Sequence, residues 1–219
     1  ILTNGAGRKR PMLSTAEFVK TNFCRRNGGT ALERSFEEVL VEQCATTLAG
    51  MKPASLFRYQ GAGKRQSREA AARWARELAP HGITVRVLKY CPQTGACLIY
   101  LYRAGWLRSI LTEPSIRAFL AGQGYQADQD CQSLLRQLSR RLCLEREFPH
   151  EIGVFLGYPL EDVVGFIRNR GRNYTCCGYW KAYGDPEAAQ KRFDQYRRCT
   201  AACCEQFRKG TAITQLIAA

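Results

Sequence analysis

A handful of thiols, one imidazole and one aromatic run are the residues of this chain whose types and spacing could do chemistry. If residues 186 to 209 form a helix, Cys199 and Cys203 stand one turn apart and about 40° round its axis, so both can face one neighbour. Cys176 and Cys177 in an extended segment point to opposite sides, so either can approach that pair. Cys44, Cys177, Cys199 and Cys203 are therefore the candidate metal or thiol residues. A metal would need about four converging thiolate or imidazole ligands. Two Cys separated by two residues, the familiar metal spacing, are absent, and with 2 His in the chain any site would be mostly Cys. The competing reading is inert, buried Cys acting as a small hydrophobe. Metal or cluster binding and a redox or nucleophilic thiol stay open beside it.

His150-Glu151 opens like a zinc-protease helix, but Val154 stands where that motif needs its second His, which excludes it. His81 lies in a Pro-Gly turn, which leaves His150 as the candidate partner of a catalytic Cys. Alternatively His150, after Pro149, only fixes the chain in a first helical turn. Tyr179, Lys181 and Tyr183 alternate onto one face of an extended run, with Trp180 on the other. Such a face can stack a base or a planar cofactor, or simply cover a sheet. His150, Tyr179, Lys181 and Tyr183 are accordingly the candidate ligand-binding residues. Gly61 to Arg65 is superficially similar to a phosphate loop but lacks both its glycine spacing and the Ser or Thr after the Lys. Ile152 to Arg170 has the apolar skeleton of a helix-turn-helix. Its second helix would present Glu161 and Asp162 to phosphates, which argues for a structural helical hairpin. No dinucleotide fingerprint or paired-carboxylate signature stands out, and neither a catalytic residue nor a cofactor is identified.

The elements that must position these groups follow from periodicity. Ser35 starts a helix with Glu37 and Glu38 in its first turn, apolar at Phe36, Val39, Leu40, Cys44 and Leu48, and ending at Gly50. Leu56–Tyr59 is strand-like, and Ser67–Leu78 is an Ala- and Arg-rich helix. In Ile83–Tyr90, Ile83, Val85, Val87 and Lys89 share one side, and a turn at Pro92–Gly95 leads to Ala96–Arg103 as a hairpin. Helices are expected over Trp106–Gly122 with a break at Glu113-Pro114, over Asp130–Leu144, in two short pieces over Pro149–Arg170, and over Pro186–Lys209. Thr175–Tyr183 is a fourth strand candidate. The expected fold is α+β: a small, mainly antiparallel sheet of about four strands, covered on one face by helices, with a helical insert before the last strand.

With 219 residues, 45% hydrophobic and 24% charged, the chain can bury a full core and lies outside the disordered regime. No apolar run approaches the roughly 20 residues of a membrane span. The 11 Cys are odd in number and scattered, unlike a secreted disulfide framework, and no secretory signal is visible, so reduced thiols in the cytoplasm are expected. The net charge of +14 favours nucleic acid or other anionic partners. Residues 1–34 read as a basic, flexible N-terminal segment, with Met12 the apparent start, 35–210 as a single domain, and 211–219 as a tail.

Two long stretches carry a resemblance. Phe148-Pro149-His150-Glu151-Ile152-Gly153-Val154-Phe155-Leu156-Gly157-Tyr158-Pro159 and Gly178-Tyr179-Trp180-Lys181-Ala182-Tyr183-Gly184-Asp185 resemble the signatures of the DUF3793 family. Cys44-Ala45-Thr46-Thr47-Leu48-Ala49-Gly50 resembles a third segment of that family, with Thr46 in place of its Pro and Gln43 where a His is frequent. The resemblance covers roughly Ser35 to Gly210. It implies a bacterial protein, mainly of anaerobic Firmicutes, acting in the cytoplasm, and implies no activity. The leading expectation is an accessory protein binding a small ligand, metal or partner around His150, the Tyr179–Tyr183 run and Cys177/Cys199. A nucleic-acid-binding protein using its basic surface is the alternative, and a pure protein-interaction adaptor is a third.

Overall fold

The computed structural model describes residues 34–61, 64–145 and 147–218. In order the elements are α1 (Phe36–Leu48), β1 (Ala54–Tyr59), α2 (Lys64–Leu78), β2 (Ile83–Tyr90), β3 (Cys97–Arg103), α3 (Ala104–Thr112), α4 (Pro114–Gly122), α5 (Cys131–Leu144), α6 (Ile152–Phe155), α7 (Leu160–Asn169), β4 (Cys176–Cys177), β5 (Lys181–Ala182) and α8 (Pro186–Arg208). Three of the long helices, α1, α5 and α8, begin where the sequence supplies a cap. The Ser35 hydroxyl accepts the Glu38 N–H at 3.1 Å while the Glu38 carboxylate accepts the Ser35 N–H at 2.9 Å, a reciprocal box. Asp130 accepts the Ser133 N–H at 2.6 Å at the start of α5, and Asp185 that of Glu187 at 2.9 Å at the start of α8. The loop segment 62–63 near the phosphate-loop resemblance, and the N-terminal segment apart from Arg34, lie outside the described residues.

The chain is α+β. Its main sheet has three antiparallel strands in the order β1-β3-β2, with β3 in the middle, and the helices α3–α7 form the insert before the last strands. Helices cover both faces of that sheet rather than one. Leu56, Leu98, Tyr100 and Tyr102 face a core built with α3 to α7, whereas Phe57, Ile83, Val85, Ile99 and Leu101 face a second core built with α1, α2 and the end of α8. Cys97 to Tyr102 are all buried, because a central strand clad on both sides has no solvent face. The segment after Gly210, read from sequence as a tail, joins the second core: Ile213 and Leu216 are buried, and the Ala218 N–H donates to the Leu48 carbonyl at 3.0 Å.

Two details depart from simple alternation. A bulge between Val87 and Lys89 leaves Leu88 without a partner on β3, and the strand's remaining side chains change sides. Lys89 therefore reaches α5, donating to the Leu142 carbonyl at 2.5 Å, and Tyr90 packs on the α2 side. The run expected as a fourth strand instead folds on itself. Cys176 pairs with Ala182 and Cys177 with Lys181, making β4 and β5 a two-residue hairpin in its own small sheet.

Candidate functional site

A hairpin this short cannot stand alone, and the residues that hold it bring acidic, basic, imidazole and aromatic groups together. Asp162, in the first turn of α7, is buried and turned inward. Its Oδ2 accepts the Trp180 indole N–H at 2.7 Å, and its Oδ1 accepts the backbone N–H of Tyr183 at 2.7 Å and of Gly184 at 3.3 Å. A carboxylate with three donors offsets much of its desolvation. Trp180 is stacked on Tyr158 at 4.9 Å between centroids and meets Phe193 of α8 edge-on at 4.6 Å. Glycines let the backbones approach: a Cβ on Gly165 would lie 2.5 Å from Tyr183, and one on Gly178 would lie 2.3 Å from Phe193.

Between this hairpin and α7 lies a cleft lined by His150, Tyr158, Asp162, Val163, Phe166, Trp180 and Lys181, enclosing about 30 Å3. That is room for about one water. The His150 ring sits 4.8 Å from the Phe166 ring, and the Lys181 ammonium lies 5.8 Å from Phe166 and 5.1 Å from Tyr174 while donating to the Gly171 carbonyl at 3.0 Å. Of the candidate ligand-binding residues His150, Tyr179, Lys181 and Tyr183, His150 and Lys181 meet here. Tyr183 packs instead on Gly165 of α7, and Tyr179 turns toward α8, edge-on to Tyr196 at 5.1 Å. Trp180 joins Lys181 at the cleft, because the turn at Gly178–Trp180 breaks the two-residue alternation. A larger open groove of about 570 Å3 lies between Thr175–Cys176 and the first turns of α8, away from these residues.

Cys44, Cys203 and Cys199 share the core layer where α1 packs on α8, while Cys177 sits half-buried in β4. Burial pushes the Cys44 thiol up to about 12, against the opposing pull of Lys52 and Ser55. Burial and the neighbouring Cys203 and Cys204 likewise push Cys199 up to about 12. Protonated thiols are poor ligands and poor nucleophiles at neutral pH. Among the described residues, no three of His, Cys, Asp and Glu converge as a metal's ligand set.

Asp162, Tyr158, Val163, Phe166 and Trp180 are the cleft residues that the sequence does not assign to a site. Nothing in the one-dimensional pattern separates an Asp that caps another segment from one in a solvated first turn. In the helical pair α6–α7, α6 is four residues long, and of the two acids expected to face phosphates Asp162 turns inward to the hairpin while Glu161 stays exposed.

The family model described as "Protein of unknown function (DUF3793)" matches residues 40–217. No curated protein and no solved structure matches the chain. Among the described residues no helix is long and apolar enough to cross a membrane.

Proposed function

We propose that this chain, which belongs to the DUF3793 family, is a binding protein that takes a small planar ligand in the cleft between α7 and the β4–β5 hairpin. One observation carries the reading: the segments 148–159 and 178–185 meet across α7 there, with Tyr158, Phe166 and Trp180 as walls and His150, Asp162 and Lys181 as polar groups. Apolar walls with a few placed polar groups are the usual make-up of small-molecule sites. At about 30 Å3 the closed cleft admits no ring, so binding requires a side chain to swing out. Lys181 is the candidate, since its ammonium sits at the rim between two rings. The described cysteines are all free thiols, which fits action in a reducing cytoplasm.

The test is fluorescence of a Trp74→Phe/Trp106→Phe protein, in which Trp180 is the remaining indole. Nucleosides, nucleotides and aromatic carboxylates are titrated in turn. A saturable change in Trp180 emission, abolished by Phe166→Ala, is expected for at least one class. A flat response to every class, with no thermal stabilisation either, removes the reading.

A second reading has its own observation. From Val163 to Gly184 the chain carries Arg168, Arg170, Arg172 and Lys181 and no acidic residue. Arg168 in the last turn of α7 and Arg170 and Arg172 just after it are exposed, form no ion pair among the described residues, and neighbour the exposed Tyr174. Guanidinium groups beside an open aromatic face suit a single-stranded nucleic acid. Replacing the three arginines with Gln should weaken the binding of a fluorescein-labelled oligouridine, read by anisotropy, at least tenfold; unchanged binding would discard this reading.

A further inference from the structure

The cleft between α3, α4 and the start of α5 shares no lining residue with the cleft beside the hairpin. One hollow of about 200 Å3 is lined by Arg108, Arg117, Cys131, Leu111 and Leu134 among others, and a second of about 110 Å3 adjoins it, sharing Arg108, Asp130 and Cys131. Leu111 and Leu134 are buried and give it an apolar floor. Its charges are unbalanced. Arg108 and Arg117 form no ion pair among the described residues, and the Arg117 Nε is buried with no acceptor there. The lining acid, Asp130, is committed to the Ser133 N–H at 2.6 Å. A third guanidinium, Arg86, stands at one end, where its Nη1 donates to Gln132 at 2.8 Å, and Gln132 in turn donates to the Tyr102 hydroxyl at 3.1 Å. A buried guanidinium N–H without an acceptor is costly, and an oxyanion in the hollow would satisfy it.

We propose that this cleft is a second binding site, for a small organic carboxylate whose oxygens engage Arg108 and Arg117 and whose apolar part rests on Leu111 and Leu134. The volume sits below the range of drug-sized pockets, which restricts the occupant to a compact anion. Cys131, half-buried in the same lining, reports from inside. Burial raises its thiol while Arg108 and Arg86 oppose, which slows every alkylating reagent alike.

The experiment is competitive alkylation of the whole native chain with iodoacetate and iodoacetamide, read at each cysteine by peptide mass spectrometry. The two reagents differ in carrying or lacking the carboxylate, so their ratio cancels thiol reactivity. Exposed Cys143, at the other end of α5, controls for the general positive charge. The acetate-to-acetamide ratio should be about tenfold higher at Cys131 than at Cys143, the low end of what charged clefts achieve. Arg108→Gln/Arg117→Gln should bring it down to the Cys143 value, and benzoate should protect Cys131 in the unmutated chain only. Equal ratios at the two cysteines, a ratio indifferent to the arginine substitutions, or no labelling of Cys131 by either reagent would each overturn the proposal.

Discussion

Lys52 and Cys44 show how burial alone sets the chemistry of a side chain. Lys52 is 7% exposed, and desolvation pulls its ammonium down to about 8, with Cys44 opposing. In the unfolded chain Lys52 holds its proton to about pH 10.5. Between those values the unfolded state binds more protons, so stability rises with pH, and below pH 8 the full penalty applies, on the order of 3 kcal/mol. Cys44 and Cys199 act the other way. Both stay protonated in the fold to about 12 but ionise from about 9 when unfolded, so they remove stability as pH rises above 9. Stability to urea should therefore climb from pH 7.5 to a maximum near 9 and then fall. Lys52→Met should abolish the climb and stabilise the protein at pH 7 by about 2 kcal/mol, because the charge is removed and the buried stem kept. A variant that is less stable at pH 7, or that keeps the climb, would show that Lys52 is charged and well paired in the fold. The same burial packs Cys44 into the core between α1 and α8 and disfavours its thiolate at neutral pH.

The β4–β5 hairpin is the element on which the cleft depends, and Asp162 is its anchor. Removing that carboxylate leaves an indole N–H and two backbone N–H groups without their acceptor. At about 1–3 kcal/mol per unsatisfied buried group, Asp162→Ala should cost about 3 kcal/mol or more. Amide exchange would localise the effect: Tyr183 and Gly184 should lose protection, while Glu187→Gln at the exposed start of α8 leaves them unchanged. Loss of stability spread evenly over the chain, with those two amides no worse than others, would mean the hairpin is held by its aromatic packing instead. Gly178→Ala tests that packing directly, since the added methyl would meet the Phe193 ring at 2.3 Å. The elements of the site differ in how far the sequence announces them. The helices α1, α5 and α8 are legible because Ser35, Asp130 and Asp185 cap them and their apolar stripes repeat at helical spacing. The hairpin is not, because two strands of two residues have no period to read. The bulge at Leu88 escapes for the same kind of reason: an extra residue changes the side of Lys89 and Tyr90 without changing composition. His150 and Lys181 were drawn from motifs, yet their meeting with Asp162 is a long-range fact carried by hydrogen bonds that local pattern does not encode.

At the scale of the whole molecule, two cores share one sheet, and the charge is distributed unevenly over the outside. Elsewhere basic residues pair with acidic ones, within one helix or its end for Arg65 with Glu69, Arg197 with Asp194 and Lys209 with Glu205, and over longer separations for Arg34 with Glu42 and Arg73 with Glu37. Exposed pairs of this kind add little stability, but they do neutralise the faces they occupy. Around the end of α7, Arg168, Arg170 and Arg172 have no such partners among the described residues, so part of the net charge of +14 gathers there as a local patch. The distinction is measurable through salt. A patch that holds single-stranded nucleic acid by Arg168, Arg170 and Arg172 releases counterions at each contact, and each contributes about 0.7 to the slope of log affinity against log salt. Substituting all three with Gln should then flatten the slope by about 2. If affinity falls but the slope is retained, the nucleic acid is following the diffuse charge of the molecule, and the turn serves only to close α7 over Lys181. A flattened slope together with weakened binding on Tyr174→Ala would tie the phosphates and a stacked base to one place on the fold, beside the mouth of the aromatic cleft.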